Sequence, residues 1–427
     1  MSLKGINVLV DGYNLELPTG TGIKTYSKSL VQALNLLEAD VNILFSRSGS
    51  NSNDSILNEV LLFDNPNNRK LSKIDLIRTL AKTSIGLFNQ PTKIKAGRQV
   101  LQTEFSDELL SSSEILNLSS CYLSANTLYK FFGKQIKITT PYQIDIWHST
   151  CPLPIKIRRA KKITTIHDLI PLRLPYTTLD DKKAFYTLVK DSIKDSSIII
   201  TVSENSKRDI LNIFDITSDK VHVTYQPVLL KPLLEEERVK AFLKKYEIKF
   251  KKYILFVGAI EPKKNLGRLI DAYAELDTDM QLIIVGKKGW LWKGEIGKLN
   301  STFDKRFAAK VKFLEYVSNN DLGYFYQGAL CLVFPSLYEG FGLPPLEAMS
   351  FNCPVITSNA ASLPEVCGDA ALYVNPYDVT DIKEKIEKMI NDPQVGAKLS
   401  EAGRERVKLF SMDNYIKKLS DAYNVVL

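Results

Sequence analysis

The apolar residues of this chain fall into short runs of strand length that alternate with segments of helical periodicity. The first run is Ile6–Val10, followed by apolar positions at helical spacing across 23–37 and a second run at Val41–Phe45. Short apolar runs bounded by glycine and polar residues predict strands, and the 3.6-residue spacing between them predicts helices. This alternation predicts a mostly parallel sheet covered by helices on both faces, which is an α/β fold.

The alternation occurs in two separate series, which predicts two domains. The first series continues with runs at Ile144–Trp147, Ile163–Ile166 and Ile198–Val202. The second follows a charged segment and contains runs at 253–258, 281–285, 311–314, 331–334, 355–357 and 371–374. We expect two doubly wound, Rossmann-like domains facing across a cleft, over 1–228 and 229–411, with a helix at 412–427 completing the first. In such sheets, ligands bind beyond the carboxyl ends of the strands.

Two helix starts are also readable. Ser318-x-x-Asp321 and Ser362-x-x-Glu365 both have the spacing of a capping box. We therefore expect a helix to begin at each of these serines.

The composition is that of an ordinary globular protein. The chain has 427 residues, of which 44% are hydrophobic and 24% charged, and these values exclude disordered, collagen-like and disulfide-stapled classes. No apolar run approaches the roughly 18 residues that a membrane-spanning helix needs. The first run, Ile6–Val10, is also too short for the apolar region of a signal peptide. We therefore expect a cytoplasmic protein.

Cysteine, histidine and net charge narrow the functional classes further. The five cysteines show no Cys-x-x-Cys spacing and there are only three histidines, so we expect no structural zinc site. The net charge of +8 favours acidic surfaces or phosphorylated ligands. Without a known recognition module, this modest charge does not indicate nucleic-acid binding.

A basic stretch over 69–98 departs from the even distribution of charge. It carries eight basic residues and one acidic residue, Asp75, interleaved with apolar positions. This pattern predicts a basic amphipathic segment. A solvated helix over the core is one interpretation, and attachment to anionic lipid headgroups or to a pyrophosphate-bearing acceptor is the other.

The first candidate site is the loop between the first predicted strand and helix. Gly20 and Gly22 lie there, where backbone N–H groups and a helix N-terminus would face a phosphate; a plain turn is the alternative. A nicotinamide site is excluded, because Thr25 stands in place of the third glycine of the fingerprint and no acidic residue ends the second strand. A P-loop sequence is absent as well.

Two other candidates follow predicted strands directly. His167 comes after the run at Ile163–Ile166 and would emerge at the carboxyl edge of the sheet, although a lone histidine is often structural. Lys263 and Lys264 lie in the strand-to-helix turn at 258–265. Because cations are unfavourable at a helix N-terminus, two of them there indicate an anionic ligand such as phosphate; an exposed basic turn is the alternative.

The segment 335–349 carries the densest set of candidates. Gly340 and Gly342 allow a sharp turn after a buried strand and leave backbone N–H groups free, and two prolines suit the first turn of the helix that follows. Glu339 in the loop and Glu347 in the first helical turn would place two carboxylates at different depths, each able to clamp a pair of sugar hydroxyls. A capping role for Glu347 is the alternative.

Five motifs in this order resemble a known family. They are HDLIPL at 167–172, TVSENSKRDI at 201–210, VGAIEPKKNL at 257–266, EGFGLPPLEAM at 339–349 and SLPEVCGDAALYVNP at 362–376. Together they resemble the retaining glycosyltransferases of the GT-B fold, family four of the carbohydrate-enzyme classification. The resemblance covers nearly the whole chain and is weakest over 46–142. It implies two Rossmann-like domains facing across a cleft and the transfer of a hexose from a nucleotide-sugar donor.

The resemblance also implies a role for each matching residue. Lys264 would bind the donor's diphosphate, assisted by Lys263, and Glu339 would hold hydroxyls of the donor sugar. Glu347 would hold the ribose, and His167 would lie at the reacting face of the sugar. We therefore expect His167, Glu339 and Lys264 to act in catalysis. The donor would further meet the backbone at Gly20, Gly22, Gly340, Phe341, Gly342 and Leu343.

Two departures from the family pattern bear on these roles. Some members have an arginine where this chain has Ala259, so more of the phosphate contact should fall on Lys263 and Lys264. The usual Asn-Gly pair at the end of the first domain is replaced by Gln226-Pro227, which affects the contact between the domains.

A more specific resemblance, to bacterial O-antigen and capsule mannosyltransferases, implies the substrates. The donor would be GDP-mannose, with a UDP-sugar as the other class, and the acceptor a polysaccharide or lipid-linked oligosaccharide at the inner face of the cytoplasmic membrane. The alternatives are a GT-B-fold nucleotide-sugar epimerase, which needs no acceptor, and a catalytically silent member that serves as a partner subunit.

The resemblance also implies the mechanism. It favours front-face attack, in which the departing phosphate takes the acceptor's proton and the configuration is retained. Family members typically work without a metal, so we expect no metal and no cofactor. The single Asp-x-Asp, at Asp277 and Asp279, precedes a predicted strand and is expected to be structural.

Overall fold

The computed structural model describes residues 2–17, 22–47, 54–64, 90–94, 113–301, 309–318 and 320–427. Most of these residues belong to two large sheets and the helices that cover them. The strands of the first sheet are β1 (Asn7–Asp11), β2 (Asp40–Phe45), β3 (Thr92–Ile94), β4 (Ser113–Asn117), β6 (Ile146–Ser149), β8 (Lys161–Thr165), β9 (Ile198–Thr201) and β10 (Val221–Val223). Their order is β10-β9-β8-β6-β1-β2-β4-β3, and all neighbours are parallel except β3 and β4.

The second sheet is fully parallel. Its strands are β11 (Tyr253–Val257), β12 (Gln281–Val285), β13 (Val311–Leu314), β14 (Cys331–Phe334), β15 (Val355–Ser358) and β16 (Ala371–Val374). The order β13-β12-β11-β14-β15-β16 reverses direction between β11 and β14. That reversal is the point in a doubly wound sheet where the loops diverge and leave room for a ligand.

A small separate sheet pairs β5 (Ile136–Ile138) with β7 (Ile155–Ile157) in parallel. Its isoleucines join Trp147 of β6 in one buried cluster. The small sheet therefore covers one face of the first large sheet.

The helices connect the strands and cover both faces of each large sheet. They are α1 (Gly22–Leu36), α2 (Ser55–Phe63), α3 (Cys121–Phe132), α4 (Ile170–Arg173), α5 (Lys182–Asp195), α6 (Glu204–Ile213), α7 (Glu236–Lys244), α8 (Leu266–Ala274), α9 (Trp292–Ser301), α10 (Leu322–Gly328), α11 (Leu343–Ser350), α12 (Leu363–Cys367), α13 (Val379–Asn391), α14 (Pro393–Lys408) and α15 (Met412–Asn424). Within the described part of the chain, every helix is too short or too polar to span a bilayer.

The central strands of the second sheet are buried on both faces. Successive residues of β11 alternate between two apolar clusters, with Leu255 in one and Phe256 in the other. Strands covered in this way read as continuous apolar runs, which explains why their bounds were predictable from the sequence. The predicted α/β architecture, with two doubly wound sheets, is confirmed.

The last helix returns to the first sheet. Tyr415, Leu419 and Tyr423 of α15 are buried, and the helix packs against α1. The chain passes between the two halves twice, and the passages are hydrogen-bonded to each other, since the Val228 N–H donates to the Phe410 carbonyl at 2.8 Å. Residues 412–427 therefore lie with the strands of the first half.

Two local predictions need correction. The basic stretch at 69–98 lies outside the described residues except at 90–94, and there the chain forms β3 rather than a helix, with Lys93 paired to Glu114. At the first capping box, the Ser318 hydroxyl accepts from the Asp321 N–H at 3.1 Å, but the helix starts only at Leu322.

Candidate active site

The loops that follow β11 and β14 are joined at the carboxyl edge of the second sheet. The Leu337 N–H donates to the Lys263 carbonyl at 2.7 Å, and the Asn265 side-chain amide donates to the Pro335 carbonyl at 2.9 Å. Since β11 and β14 are neighbours, the two loops leave the sheet side by side. The lysines of one loop and the glutamate of the other are brought together in this way.

Lys264 and Glu339 form a mostly buried ion pair. The Lys264 Nζ lies 2.6 Å from the Glu339 Oε1, with only 13% and 10% of the two side chains exposed. The same oxygen lies 2.5 Å from the Ser336 hydroxyl, and the ammonium lies 5.0 Å from the centre of the Phe334 ring. Burial alone would raise the pKa of Glu339, but the positive charges of Lys264 and Lys263 outweigh burial and lower it.

Lys263 lies beside this pair and has its own carboxylate partner. Its Nζ is 3.4 Å from the Glu261 Oε1, and Glu261 is buried. Burial would lower the pKa of Lys263, but the charges of Glu339, Asp168 and Glu261 raise it. Lys263 is therefore held as a cation, and both lysines lie within reach of carboxylates.

The N-terminus of α11 follows these side chains directly. Gly342 precedes the helix with φ = 113°, a left-handed conformation that glycine adopts without strain. No side chain caps this end, and Pro344 and Pro345 occupy the first turn as predicted. The remaining backbone N–H groups and the positive end of the helix dipole suit an anion.

Glu347 lies one turn further along α11. It is in the second turn rather than the first, which corrects the predicted position. The Tyr326 hydroxyl donates to its Oε2 at 3.0 Å. Burial raises the pKa of Glu347, because the Tyr326 hydrogen bond and the Lys231 charge offset desolvation only in part.

His167 lies at the carboxyl edge of the first sheet, two residues after β8. Its Nε2 is 2.9 Å from the Thr150 carbonyl oxygen, and since a carbonyl only accepts, Nε2 must carry the hydrogen. Its Nδ1 is then an acceptor, and this buried atom has no hydrogen-bond partner among the described residues. The ring packs edge-on against Tyr26, with centroids 4.7 Å apart. Burial lowers the pKa of His167, so the ring is neutral.

A buried aspartate that the sequence reasoning missed supports His167. Asp11, at the end of β1, accepts hydrogen bonds from the Thr150 N–H and, at 3.1 Å, from the Thr150 hydroxyl. These contacts fix the peptide whose carbonyl holds the His167 ring. Burial raises the pKa of Asp11 to about 6, although its hydrogen bonds oppose the shift. The sequence signal that could have identified Asp11 is its position directly after the apolar run at Ile6–Val10.

The two halves meet at Gly340. A Cβ atom there would lie 2.7 Å from the His167 carbonyl oxygen and 2.9 Å from the Asp168 Cβ, so any larger residue would push the halves apart. The Ser203 hydroxyl donates to the Gly340 carbonyl at 2.7 Å, and Ser206 donates to the His167 carbonyl at 2.9 Å. The structure thus brings the predicted residues of both halves to one cleft.

The second capping box has another role than the one predicted. Glu365 accepts from the backbone N–H groups of Glu204 and Asn205, at 2.7 and 3.0 Å, and so caps α6 in the other half. Ser362 bonds instead to the carbonyls of Glu339 and Phe341. The predicted helix start is confirmed, because α12 begins at Leu363 with Ser362 in the N-cap position. The capping box itself does not form, because both side chains find partners far away in the sequence, which the local spacing cannot show.

The first-domain glycine loop is described only in part. Gly20 lies outside the described residues, whereas Gly22 is the first residue of α1. A Cβ atom on Gly22 would lie 3.5 Å from Leu343 Cδ1, so the N-termini of α1 and α11 face each other. Two helix dipoles therefore point into the same part of the cleft.

No cluster of three His, Cys, Asp or Glu side chains that could hold a metal ion occurs among the described residues. Asp277 and Asp279 lie in the turn before β12, at the amino edge of the sheet and therefore away from the cleft. Asp279 lies 3.7 Å from Lys310.

Comparison with known proteins places the chain in a family. A model described as "Glycosyl transferases group 1" matches residues 239–406, and one described as "Glycosyltransferase Family 4" matches residues 119–230. O-antigen chain mannosyltransferase B of Escherichia coli is 34% identical over 286 residues, which cover 64% of this chain and 72% of that protein. The chain belongs to the group 1 glycosyltransferases.

Other relatives of this glycosyltransferase match over different shares of their length. O-antigen chain mannosyltransferase RfbU of Salmonella typhimurium is 34% identical over 61% of this chain and 66% of its own. Serotype-specific mannosyltransferase WbdA of Escherichia coli is 32% identical over 54% of this chain, but the match covers only 29% of WbdA.

Solved structures share the fold of this glycosyltransferase over its whole length. Sucrose-phosphate synthase from Thermosynechococcus elongatus superposes with a TM-score of 0.68 at 15% identity, covering 98% of both chains. Anabaena HepE, solved in complex with UDP, gives 0.64 at 13% identity and covers 98% of this chain and 99% of its own. The GT-B fold that the sequence resemblance implied is confirmed, and the roles of individual residues stay predictions.

Proposed function

We propose that this glycosyltransferase transfers mannose from GDP-mannose to a polysaccharide or lipid-linked oligosaccharide, with retention of configuration and without a metal ion or cofactor. The observation that carries the proposal is the Lys264–Glu339 pair at the N-terminus of α11, facing His167 across the cleft. This arrangement offers positive charge to a diphosphate and acceptors to a sugar. The names of the three relatives above, all mannosyltransferases, support mannose as the sugar.

Donor binding would separate the Lys264–Glu339 ion pair, and each partner would contact a different part of the donor. The Lys264 ammonium would turn to the diphosphate with Lys263 and the N-terminal amides of α11. Glu339 would then accept hydrogen bonds from sugar hydroxyls. The lowered pKa of Glu339 supports this role, because an ionised carboxylate is purely an acceptor.

The chemical step separates charge, and the site is arranged to stabilise both products of that separation. The bond from C1 of the sugar to the β-phosphate oxygen breaks, and its electron pair stays on the diphosphate. Lys264 and the α11 amides would stabilise that negative charge. The acceptor oxygen bonds to C1 from the same face and gives its proton to the leaving phosphate oxygen, which balances the step and retains the configuration.

His167 would position the sugar instead of moving a proton. Its ring is neutral, and Nε2 already donates to the Thr150 carbonyl. Nδ1 is left to accept from a sugar hydroxyl. Glu347 would accept from the ribose hydroxyls further along α11.

The first test is calorimetric titration with GDP, UDP, ADP and their common sugar conjugates in EDTA. We expect selective binding of GDP and GDP-mannose, and a loss of at least about 30-fold in Lys264→Ala, since a buried charge contact is removed. Lys398→Ala, on the exposed side of α14, is the matched control. Equal binding of all three nucleotides, or no effect of Lys264→Ala, would contradict the proposed donor site.

Turnover then tests the remaining claims. We expect transfer of radiolabelled mannose in excess chelator, with an α-linked product identified from the C1–H1 coupling constant by NMR. Loss of turnover with EDTA would contradict metal independence. A product formed from the donor without acceptor would indicate an epimerase, and donor binding with no turnover under any condition would indicate a silent partner subunit.

The location at the inner face of the cytoplasmic membrane is a further part of the proposal. It is supported by the lipid-linked acceptor and by the basic sequence at 69–98, which the structure describes only at 90–94. Flotation with phosphatidylglycerol vesicles should recover the protein at low salt and not at high salt. Failure to float at low salt would contradict membrane contact.

A further inference from the structure

A cavity lies on the other side of the loops that carry the Lys264–Glu339 pair. Its volume is about 320 Å³, at the lower end of the roughly 300–1,000 Å³ typical of small-molecule sites. The turn Pro175–Thr177 forms its wall in the first half of the molecule, and the start of α8 forms its wall in the second half. None of the residues assigned above to the donor lines it.

The walls of the cavity are held by specific hydrogen bonds. The Trp290 indole N–H donates to the Thr177 carbonyl at 2.6 Å and so ties the two halves together at the rim. Asn265 donates to the carbonyls of Pro335 and Pro376, at 2.9 and 2.6 Å, and fixes the base. The cavity is therefore a built feature of the closed cleft.

Exposed aromatic side chains lie at the cavity. Tyr176 is 65% exposed and lines it, and Tyr377, beside it, is 54% exposed. The Arg268 guanidinium lies 5.4 Å from the centre of the Tyr377 ring and donates to the Asn265 side chain at 2.8 Å. A pyranose ring has one apolar C–H face and a rim of hydroxyls, which matches aromatic faces next to a planar donor.

The charge of the lining argues against a phosphorylated ligand. Asp271 and Glu295 line the cavity with the single cation Arg268. One first-turn amide of α8 is already used, because Gly267 N–H donates to Glu295 Oε2 at 2.9 Å. An anion would meet two carboxylates there, whereas neutral hydroxyls pair with both charge signs.

The cavity adjoins the loop that carries Glu339. Leu337 lines it and lies two residues before Glu339 on the same loop, and its N–H donates to the Lys263 carbonyl. A ligand that extends from the cleft past this loop would occupy both sites. An oligosaccharide chain has that length and repeats the same chemistry at each unit.

We propose that this cavity is a subsite for a neutral sugar unit of the acceptor chain, remote from the hydroxyl that reacts. The inference rests on the proposed function and deepens it: the enzyme recognises an oligosaccharide in preference to a single sugar. Tyr176 and Arg268 determine this preference. The donor nucleotide binds elsewhere.

The test compares acceptors of two lengths. With GDP-mannose at saturation, Tyr176→Ala and Arg268→Ala should each raise the KM for an α-linked mannotetraose about 5- to 10-fold and leave the KM for α-mannobiose and the Kd for GDP unchanged. Phe131→Ala, which removes another highly exposed ring in α3, is the control. Equal effects on both acceptors, no effect on either, or weaker GDP binding would overturn the subsite.

A binding measurement separates this inference from the proposed function. Saturation-transfer NMR with mannotetraose should show contact at the sugar units remote from the reacting end in the wild-type protein. Tyr176→Ala should lose that remote contact and keep contact at the reacting end, whether or not mannose is transferred. If contact is seen without transfer from GDP-mannose, the proposed function fails and the saccharide site stands. If transfer occurs but neither variant changes tetrasaccharide contact, the site is wrong and the function stands.

Discussion

His167 has one ring nitrogen held by the Thr150 carbonyl and the other unpaired and buried. If Nδ1 orients the donor sugar, His167→Ala should lower kcat on the order of 100-fold, because misplacing the reacting atoms is costly. The Kd for GDP should change little, since the nucleotide is bound elsewhere. Steady-state kinetics at saturating donor and calorimetry with GDP measure the two quantities. Equal losses in both would mean that His167 supports the fold of the site.

Glu347 has a raised pKa that makes nucleotide binding sensitive to pH. Glu347→Gln should weaken GDP binding about 10-fold, because a hydrogen bond to an ionised group is replaced by a neutral one. In the wild type, the carboxylate takes up a proton at a pH above its ordinary value as the pH falls. Affinity for GDP should therefore fall as the pH is lowered, and the fall should begin at a higher pH than an ordinary glutamate would give.

The variant supplies the control for this pH dependence. Glu347→Gln cannot titrate at this position, so its GDP affinity should be flat over the same range, as measured by calorimetry. A wild-type affinity that is constant with pH, or a variant that keeps the full dependence, would show that another group titrates.

Some site residues could be predicted from the sequence and others could not, for a physical reason. Lys264 and Glu339 are 75 positions apart, yet each follows a buried strand, and parallel strands end at the same edge. The contact of Glu365 could not be predicted because its partners lie across the cleft. The contact of Asp11 could not be predicted because Thr150 follows β6, and the sequence does not show that β6 lies beside β1. Strand order and domain closure determine such contacts, and neither can be predicted from the local spacing of residues.

Glu365 links α12 of the second half to α6 of the first half through two hydrogen bonds. Glu365→Ala should cost the closed arrangement about 1 kcal/mol, as for the loss of a helix cap, and raise the donor KM about 5-fold. Small-angle X-ray scattering should show a larger radius of gyration.

The matched control for this change is Glu384→Ala, an exposed glutamate on α13 that does not touch the first half. It should leave both the donor KM and the scattering curve unchanged. If Glu365→Ala lowered thermal stability without altering either quantity, the contact would be a structural cap with no part in closure.

Burial determined which strands could be predicted from the sequence. β12 and β14 were bounded correctly from the sequence because β14 is apolar throughout and β12 is apolar after its first residue, Gln281. β5 and β7 were missed: each has three residues, Ile-Lys-Ile, and the lysine interrupts the apolar run. Their pairing depends on the cluster around Trp147, which only the assembled fold supplies.

The stability of the whole molecule depends on α15. This helix follows the second half in sequence and packs on the first half. The Tyr423 hydroxyl is 2.7 Å from Nδ1 of His148, a fully buried residue, and the other ring nitrogen is 2.8 Å from the Thr165 hydroxyl. Tyr423→Phe should therefore lower the free energy of unfolding by about 1–3 kcal/mol, because His148 keeps an unpaired ring nitrogen.

Urea denaturation followed by circular dichroism measures this loss. Lys417→Ala, on the exposed face of the same helix, should change the free energy of unfolding by less than about 0.5 kcal/mol. A Tyr423→Phe protein as stable as the wild type would mean that His148 finds another partner, and that α15 is held by its apolar face alone.

The return of α15 to the first sheet sets an order for folding during synthesis. Roughly 190 residues separate the end of β10 from the start of α15, which a ribosome translates in about 10–40 s. During that time the face of α1 that α15 covers is exposed to solvent, while the second half can already fold as a unit. The first half therefore completes its folding only after the second half has been synthesised. A nascent chain interrupted in this interval would present an apolar surface to chaperones and proteases.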